Sequence, residues 1–164
     1  MMGKPPANIA EAAEPHFDQL VRLLKLGSFV NGPMKDGVCD PSGISQIELK
    51  VMMALAGEGD LAGHDLVEIM GLPAMNISRA LATLNEKGWI ENATDPDNRR
   101  RRPVRLTKAG ETEYERLHPA VASVAEALLG GLSPAQQRQF AALSEKIIAA
   151  MTQWIREHHQ GVRV

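Results

Sequence analysis

Two groups of residues in this chain have types and spacing suited to recognising another molecule. The first lies in Pro73-Ala74-Met75-Asn76-Ile77-Ser78-Arg79-Ala80-Leu81-Ala82-Thr83-Leu84, where Met75, Asn76, Ser78, Arg79 and Thr83 fall outside the apolar stripe. Short hydrogen-bonding side chains with one arginine make a face that can approach a surface and read its donors and acceptors. Arginine can pair in a fork with guanine, and asparagine with adenine. The second group is Arg99, Arg100, Arg101 and Arg102 in a row. Such a run is often only a solvated surface, but beside a reading face it suits backbone phosphates or a narrow minor groove.

Other chemistry has little to work with. His16, His64, His118, His158 and His159 show no metal-ligand spacing, and no pair of cysteines joins them. No nucleophile elbow, phosphate loop or glycine fingerprint is present, so an enzyme reading has no residues to name and no cofactor is implied. Cys39, the single cysteine, excludes an internal disulfide. Asp36 and Asp40 nearby disfavour its thiolate.

The elements that must carry these groups can be read from periodicity. Ile77, Leu81 and Leu84 recur at i, i+4 and i+7 and face a core, which leaves Met75, Arg79, Ala82 and Glu86 on the other side. Before them, Gly63 to Met70 reads as a helix with Leu66, Ile69 and Met70 as its stripe, closed by Gly71. Helix, glycine turn, helix describes a hairpin in many small domains. It also describes the helix-turn-helix whose second helix enters the major groove. After it, Gly88 ends the second helix, Trp89 to Thr94 and Val104 to Leu106 read as strands, and Asp95-Pro96-Asp97-Asn98 is dense turn chemistry. A helix-turn-helix followed by a β-hairpin is a winged helix, with the arginines at the hairpin tip.

At these residues the chain resembles the MarR family of transcriptional regulators. Asp95-Pro96-Asp97-Asn98-Arg99-Arg100 followed by Val104-Arg105-Leu106-Thr107-Lys108-Ala109-Gly110 is similar to that family's wing, and Asn76 to Gly88 to its recognition helix. The resemblance covers nearly the whole chain and is weakest in the first dozen residues. Three departures stand out. Asn98 occupies the place of the carboxylate that holds the wing arginine, a role Asp97 is free to take. Arg101 and Arg102 make the tip more basic than the pattern requires. Pro73 replaces a Ser or Thr cap and reads as a first helical position.

Composition agrees with a local binding patch. The chain has 164 residues, 44% hydrophobic and only 4% aromatic, with a net charge of −2. So few aromatics argue against a stacking platform for single strands. From Glu91 to Gly110 the balance reverses to six positive residues against three negative. No stretch is apolar enough to span a membrane, and Met1 to Pro15 lacks the apolar core of a signal peptide. The expectation is a cytoplasmic protein.

Elsewhere, Met1 to Ala13 reads as frayed. Glu14 to Val30 reads as a helix apolar over so much of its surface that it is buried on more than one side. Asn31 to Gly43, with three glycines and two prolines, reads as a loop. Ser45-Gln46-Ile47-Glu48 is a capping box, and Ile47, Val51, Ala54 and Leu55 are the stripe of the helix it opens. Thr107 caps a long helix that Pro119 should kink, Gly130-Gly131 breaks it, and Ser133-Pro134 opens a last helix to about His158. There His158 and His159 suit the helix dipole.

The expected fold is mainly α with a small β-hairpin wing: a winged helix-turn-helix with flanking dimerisation helices. Residues 1–44 are the tail and first dimerisation helix, 45–107 the DNA-binding domain, and 108–164 the remaining dimerisation helices. The outer helices carry stripes that a small domain cannot cover alone, and a second copy is the simplest cover. The resemblance implies a homodimer on an inverted repeat of double-stranded DNA, with half-sites about one helical turn apart. It also implies a small effector, often an aromatic or phenolic acid, in a cleft that Met52 and Phe29 border, with His16 or Arg22 pairing its carboxylate. Repression relieved by ligand is the family's common mode. Two other readings stay open: a winged helix used to bind protein, and a thiol redox switch at Cys39.

Overall fold

The computed structural model describes residues 7–159, with side chains over 15–158. Helix α1 spans Ala7–Phe29, so it opens well before the expected Glu14. The segment expected to be a loop is helical instead. It comprises α2 (Asn31–Met34), a π-helical turn (Lys35–Cys39) and α3 (Asp40–Ser42), ended by Gly43 at φ 64°. Pro33 falls in the opening turn of α2, where its missing N–H costs nothing. Pro41 lacks an N–H and its ring crowds the carbonyl four residues back, and the widened π turn directly precedes it. Val38 and Cys39 in that turn are buried, so this segment helps close the core. Gly37 is needed there, since a Cβ would stand 2.7 Å from Val124 Cγ2.

Helix α4 (Gln46–Glu58) starts at Ser45, whose Oγ accepts the Glu48 N–H at 3.1 Å. A two-residue strand β1 (Leu61–Ala62) follows, a strand that no periodicity signals. Helix α5 (Gly63–Met70) and α6 (Ala74–Glu86) form the helix-turn-helix, with Gly71 left-handed between them. Pro73 is the N-cap of α6, one position earlier than expected; its carbonyl accepts the Asn76 N–H but no side chain caps the helix. The sheet has the order β1-β3-β2, all antiparallel, with β2 (Ile90–Asn92) and β3 (Pro103–Leu106) forming the wing. Strand β2 is shorter than the expected Trp89 to Thr94, and β3 begins one residue before the expected Val104. Leu61 pairs with Val104 and Ile90 with Leu106.

The core gathers Val38, Leu49, Met52, Leu66, Ile77, Leu84 and Leu117. Each buried side chain of this size is worth about 1.5–3 kcal/mol. On α6, Ile77 and Leu84 are buried as the stripe requires, Ala80 joins them, and Leu81 is half-buried. On α5 only Leu66 is fully buried, and Ile69, expected in the stripe, is exposed.

Helix α7 (Lys108–Leu129) begins at Thr107, whose Oγ1 accepts the Gly110 N–H at 3.0 Å. It stays helical through Pro119. Helix α8 (Pro134–His159) opens with a capping box between Ser133 and Gln136. Helix α7 packs Leu117, Tyr114, Val121 and Val124 on the core, but α1 and α8 do not bury their stripes against their own chain. Phe17, Leu24 and Phe29 on α1 and Phe140, Leu143 and Trp154 on α8 are each at least half exposed. The expectation that α1 is buried on more than one side therefore does not hold within a single copy. His158 stacks on Trp154 at 4.1 Å and its Nδ1 lies 2.8 Å from the Trp154 carbonyl, while the His159 side chain lies outside the described residues.

Candidate nucleic-acid interface

Helix α6 presents the candidate reading face. Met75, Ser78 and Arg79 are exposed, and Asn76 and Thr83 are half-buried. The Arg79 guanidinium lies over its own helix, with Nη2 3.5 Å from Met75 Sδ. Thr83 is less available than its neighbours, because its hydroxyl donates to the Arg79 carbonyl at 3.1 Å. Two shallow, open depressions flank the helix. One of about 220 Å³ lies between α6 and the start of α4 and includes Ser45, Asn76, Arg79 and Thr83. One of about 390 Å³ lies against α5 and includes His64, Val67 and Ser78.

The wing separates four adjacent arginines into two kinds. Arg99, Arg100 and Arg102 are exposed, and no described carboxylate pairs with them. Arg101 turns inward. Its Nη2 is 2.5 Å from Asp65 Oδ2, its Nη1 is 3.1 Å from Asp95 Oδ2, and the Asp60 carbonyl lies 3.4 Å away. Asp95 also accepts the Asp97 and Asn98 N–H groups at 3.0 and 3.2 Å, which shapes the turn. Asn98 Oδ1 accepts the Arg100 N–H. The carboxylates that hold a wing arginine are thus Asp95 and Asp65, and Asp97 contributes only its N–H. Arg105 is likewise engaged, 2.6 Å from Asp60.

These pairings perturb the acids. Burial pulls the Asp65 carboxyl up, but the Ala62 N–H at 2.8 Å and the Arg101 guanidinium outweigh it and hold it below the ordinary range. The Arg101 hydrogen bond, helped by the Asp97 N–H, holds Asp95 low. Sequence reasoning missed this cluster because Asp65 and Arg101 are 36 residues apart. The one local signal was an acid three residues into α5, where it can take the Ala62 N–H.

The root of the interface is fixed by Lys87. Its ammonium is 2.7 Å from Glu48 Oε2 and 4.8 Å from the centre of the Trp89 ring. This ties the end of α6 to the start of α4. Thr107 Oγ1 donates to the Gly88 carbonyl at 2.6 Å, and the Thr107 N–H to Trp89 O at 3.0 Å. The wing therefore enters and leaves beside one glycine turn.

The residues expected to meet a small ligand do not converge within one chain. Met52 is wholly buried in the core, whereas His16, Arg22 and Phe29 are exposed along α1. Cys39 is buried in the π turn, and burial first, then the charges of Asp40 and Glu48, push its thiol up. That opposes thiolate chemistry. Among the described residues no three ligating side chains cluster to hold a metal, and no helix is long and apolar enough to cross a membrane.

This geometry matches known proteins. A model of the MarR family matches residues 42–101. Transcriptional regulator HosA of Escherichia coli O111:H- is 30% identical over 107 residues, which is 65% of this chain and 79% of that protein. Among solved structures, a cysteine-to-serine mutant of MarR from E. coli complexed with operator DNA superposes with TM-score 0.62 at 22% identity, covering 80% of this chain and 96% of that one. BpsR of Bordetella bronchiseptica, whose DNA binding is regulated by 6-hydroxynicotinic acid, gives TM-score 0.66 at 22% identity, covering 79% and 98%. At these identities the structures show a shared fold.

Proposed function

The chain belongs to the MarR family of winged-helix transcriptional regulators, and from that premise we propose that it is a homodimeric repressor of an inverted-repeat operator, released by a small aromatic or phenolic acid. The observation that carries the DNA reading is the division of the wing arginines. Three cations with no carboxylate partner among the described residues stand at the hairpin tip, although acids are plentiful nearby. Cations left free beside a polar reading helix are what a polyanion rewards. In this reading Asn76, Ser78 and Arg79, with Met75 at their edge, meet bases or adjacent phosphates. Arg99, Arg100 and Arg102 meet phosphates or the minor groove, and Thr83 and Arg101 support them.

The dimer reading rests on α1, α7 and α8. Their exposed phenylalanines, leucines and Trp154 form an apolar surface far beyond scattered surface residues, of the kind that marks an interaction site. A second copy supplies the same stripes, so a two-fold pairing covers both and sets two reading helices on one duplex. Residues 1–44 and 108–164 then hold the dimer and 45–107 reads DNA, although Val38, Cys39 and Leu117 also complete the core of the reading unit. The likeness to a regulator controlled by 6-hydroxynicotinic acid supports an acidic aromatic effector. With Met52 inaccessible, His16, Arg22 and Phe29 on α1 are the residues left to meet it. An effector that favours a mismatched spacing must bind that form more tightly; reversing a 99:1 equilibrium takes about 5.5 kcal/mol.

The test is a fluorescence-anisotropy titration on DNA upstream of the chain's own gene and its neighbours, repeated over a salt series. A two-fold stoichiometry on an inverted repeat with a steep salt dependence is expected. Binding indifferent to both sequence and salt would overturn the reading.

A further inference from the structure

Arg101 stands at the meeting point of three segments: the approach to β1, the first turn of α5 and the wing. It makes two charge-assisted bonds, to Asp65 and Asp95, and reaches the Asp60 carbonyl. All three charged side chains are about four-fifths shielded from solvent, at 26, 23 and 17% exposure. Asp65 simultaneously takes the Ala62 N–H, and Asp95 takes two N–H groups of the wing turn. Each acid is therefore fixed to its own backbone before the guanidinium bridges them. A planar fork held by two anchored carboxylates has a defined position, unlike a long side chain in water. Arg105 and Asp60 add a second tie between the sheet and the same corner.

Resting on the nucleic-acid reading above, we infer that Arg101 is a positioning residue and not a contact to DNA: with Asp65 and Asp95 it clamps the wing to the helix-turn-helix so that Arg99, Arg100 and Arg102 are held at a fixed height beside the reading helix. The sequence makes this clamp necessary. The two places where a wing arginine or the reading helix would ordinarily find a local side-chain oxygen are Asn98, whose oxygen is spent on the Arg100 N–H, and Pro73, whose side chain has none. The clamp replaces local support with support from a different helix. It thereby makes the wing's position depend on α5.

The clamp predicts an effect opposite in sign to simple electrostatics. Removing a negative charge near bound phosphates ordinarily strengthens binding. Asp65→Asn removes one but leaves an oxygen for the Ala62 N–H, so α5 keeps its start while Arg101 loses its charged partner. We expect operator affinity to fall about tenfold, as for a lost charge-assisted hydrogen bond that must be compensated on binding. The slope of log K against log salt stays at its wild-type value. Arg101→Gln should also leave that slope unchanged, whereas Arg100→Gln lowers it by about 0.9. Arg101→Lys, which keeps the charge without the fork, should weaken binding at an unchanged slope and guards against misfolding of the first variant.

Hydrogen exchange of the wing amides in the DNA-free protein is the independent readout. Residues 95–102 should exchange faster in Asp65→Asn and Arg101→Lys than in wild type. Asp65→Asn binding as tightly as wild type or more so, Arg101→Gln lowering the salt slope as Arg100→Gln does, or unchanged wing exchange would each overturn the clamp. Wild type failing to bind any candidate operator would instead sink the nucleic-acid reading, and the exchange data would still decide the clamp.

Discussion

Lys87 holds Glu48 at 2.7 Å across 39 residues of sequence, and the same ammonium lies over the Trp89 ring. Glu48 is the one buried charged residue among the described side chains. Its other oxygen accepts the Ser45 hydroxyl, so both lone-pair sites that matter are used. The pair joins the end of the reading helix to the start of α4. Lys87→Met strands the Glu48 carboxylate, and because the lysine is partly solvated the cost falls below that of a fully buried pair, at about 2 kcal/mol. A urea titration should show a lower midpoint at an unchanged m-value. A midpoint equal to wild type would mean that the carboxylate is solvated without Lys87.

Gly110 is fixed by contact and not by backbone conformation. A Cβ there would stand 2.0 Å from Trp89 O, an approach that only backbone movement relieves. Gly110→Ala must push α7 away from the glycine turn at the root of the wing. The expected loss is about 3 kcal/mol, at the upper end for overpacking. Thermal unfolding checks it, with Ala109→Gly as the neighbouring control at an exposed site.

The reading helix and the wing should fail differently. Arg79→Ala is expected to cost about 1–3 kcal/mol on the preferred operator and to flatten the preference at one base position. Arg100→Gln should weaken all sequences alike and lower the salt slope by about one. Competition titrations with single-base operator variants at two salt concentrations separate the two. Identical behaviour of both variants would count against the division of labour.

A charge placed on the apolar face of α8 should separate the copies. Ile147 and Leu143 are exposed in one copy, and Ile147→Asp puts a carboxylate into the proposed interface. Sedimentation equilibrium should shift from dimer to monomer, and operator affinity should fall with it. A variant that remains dimeric would place the two-fold contact elsewhere.

Acid should loosen the wing through Asp65 and Asp95. Both are held below the ordinary carboxylate range in the folded chain. A depressed folded pKa means stability fully present above the unfolded value, near pH 4, and lost as pH falls through the folded value below it. Wild-type stability should therefore drop steeply below about pH 4. In Asp65→Asn the same profile should be shallower. Chemical denaturation at a series of pH values from neutral to acidic reads the difference directly, and parallel profiles would show that Asp65 titrates alike folded and unfolded.

How far the sequence reached is clear from single elements. The spacing of Ile77 and Leu84, the glycines at 71 and 88 and the Thr107 cap are local signals, and each took its expected place. Asn31 to Ser42 did not. Its glycines and prolines favour a loop locally, yet burial of Val38 and Cys39 against α7 draws the segment into a helix with a π turn. Met52 reads as a cleft residue by type, and in a single copy it is wholly buried.

The sequence by itself determined the order of the long helices and the wing strands, the Ser45, Thr107 and Ser133 caps, and the gathering of arginines at one turn, because these follow from interactions within a few residues. Which arginine is free and which is bound was decided only in three dimensions. Arg99 to Arg102 are chemically identical, and they differ only in which carboxylates the chain folds back beside them. Asp65 reaches Arg101 because α5 and the wing pack at one corner, and no local pattern encodes that distance.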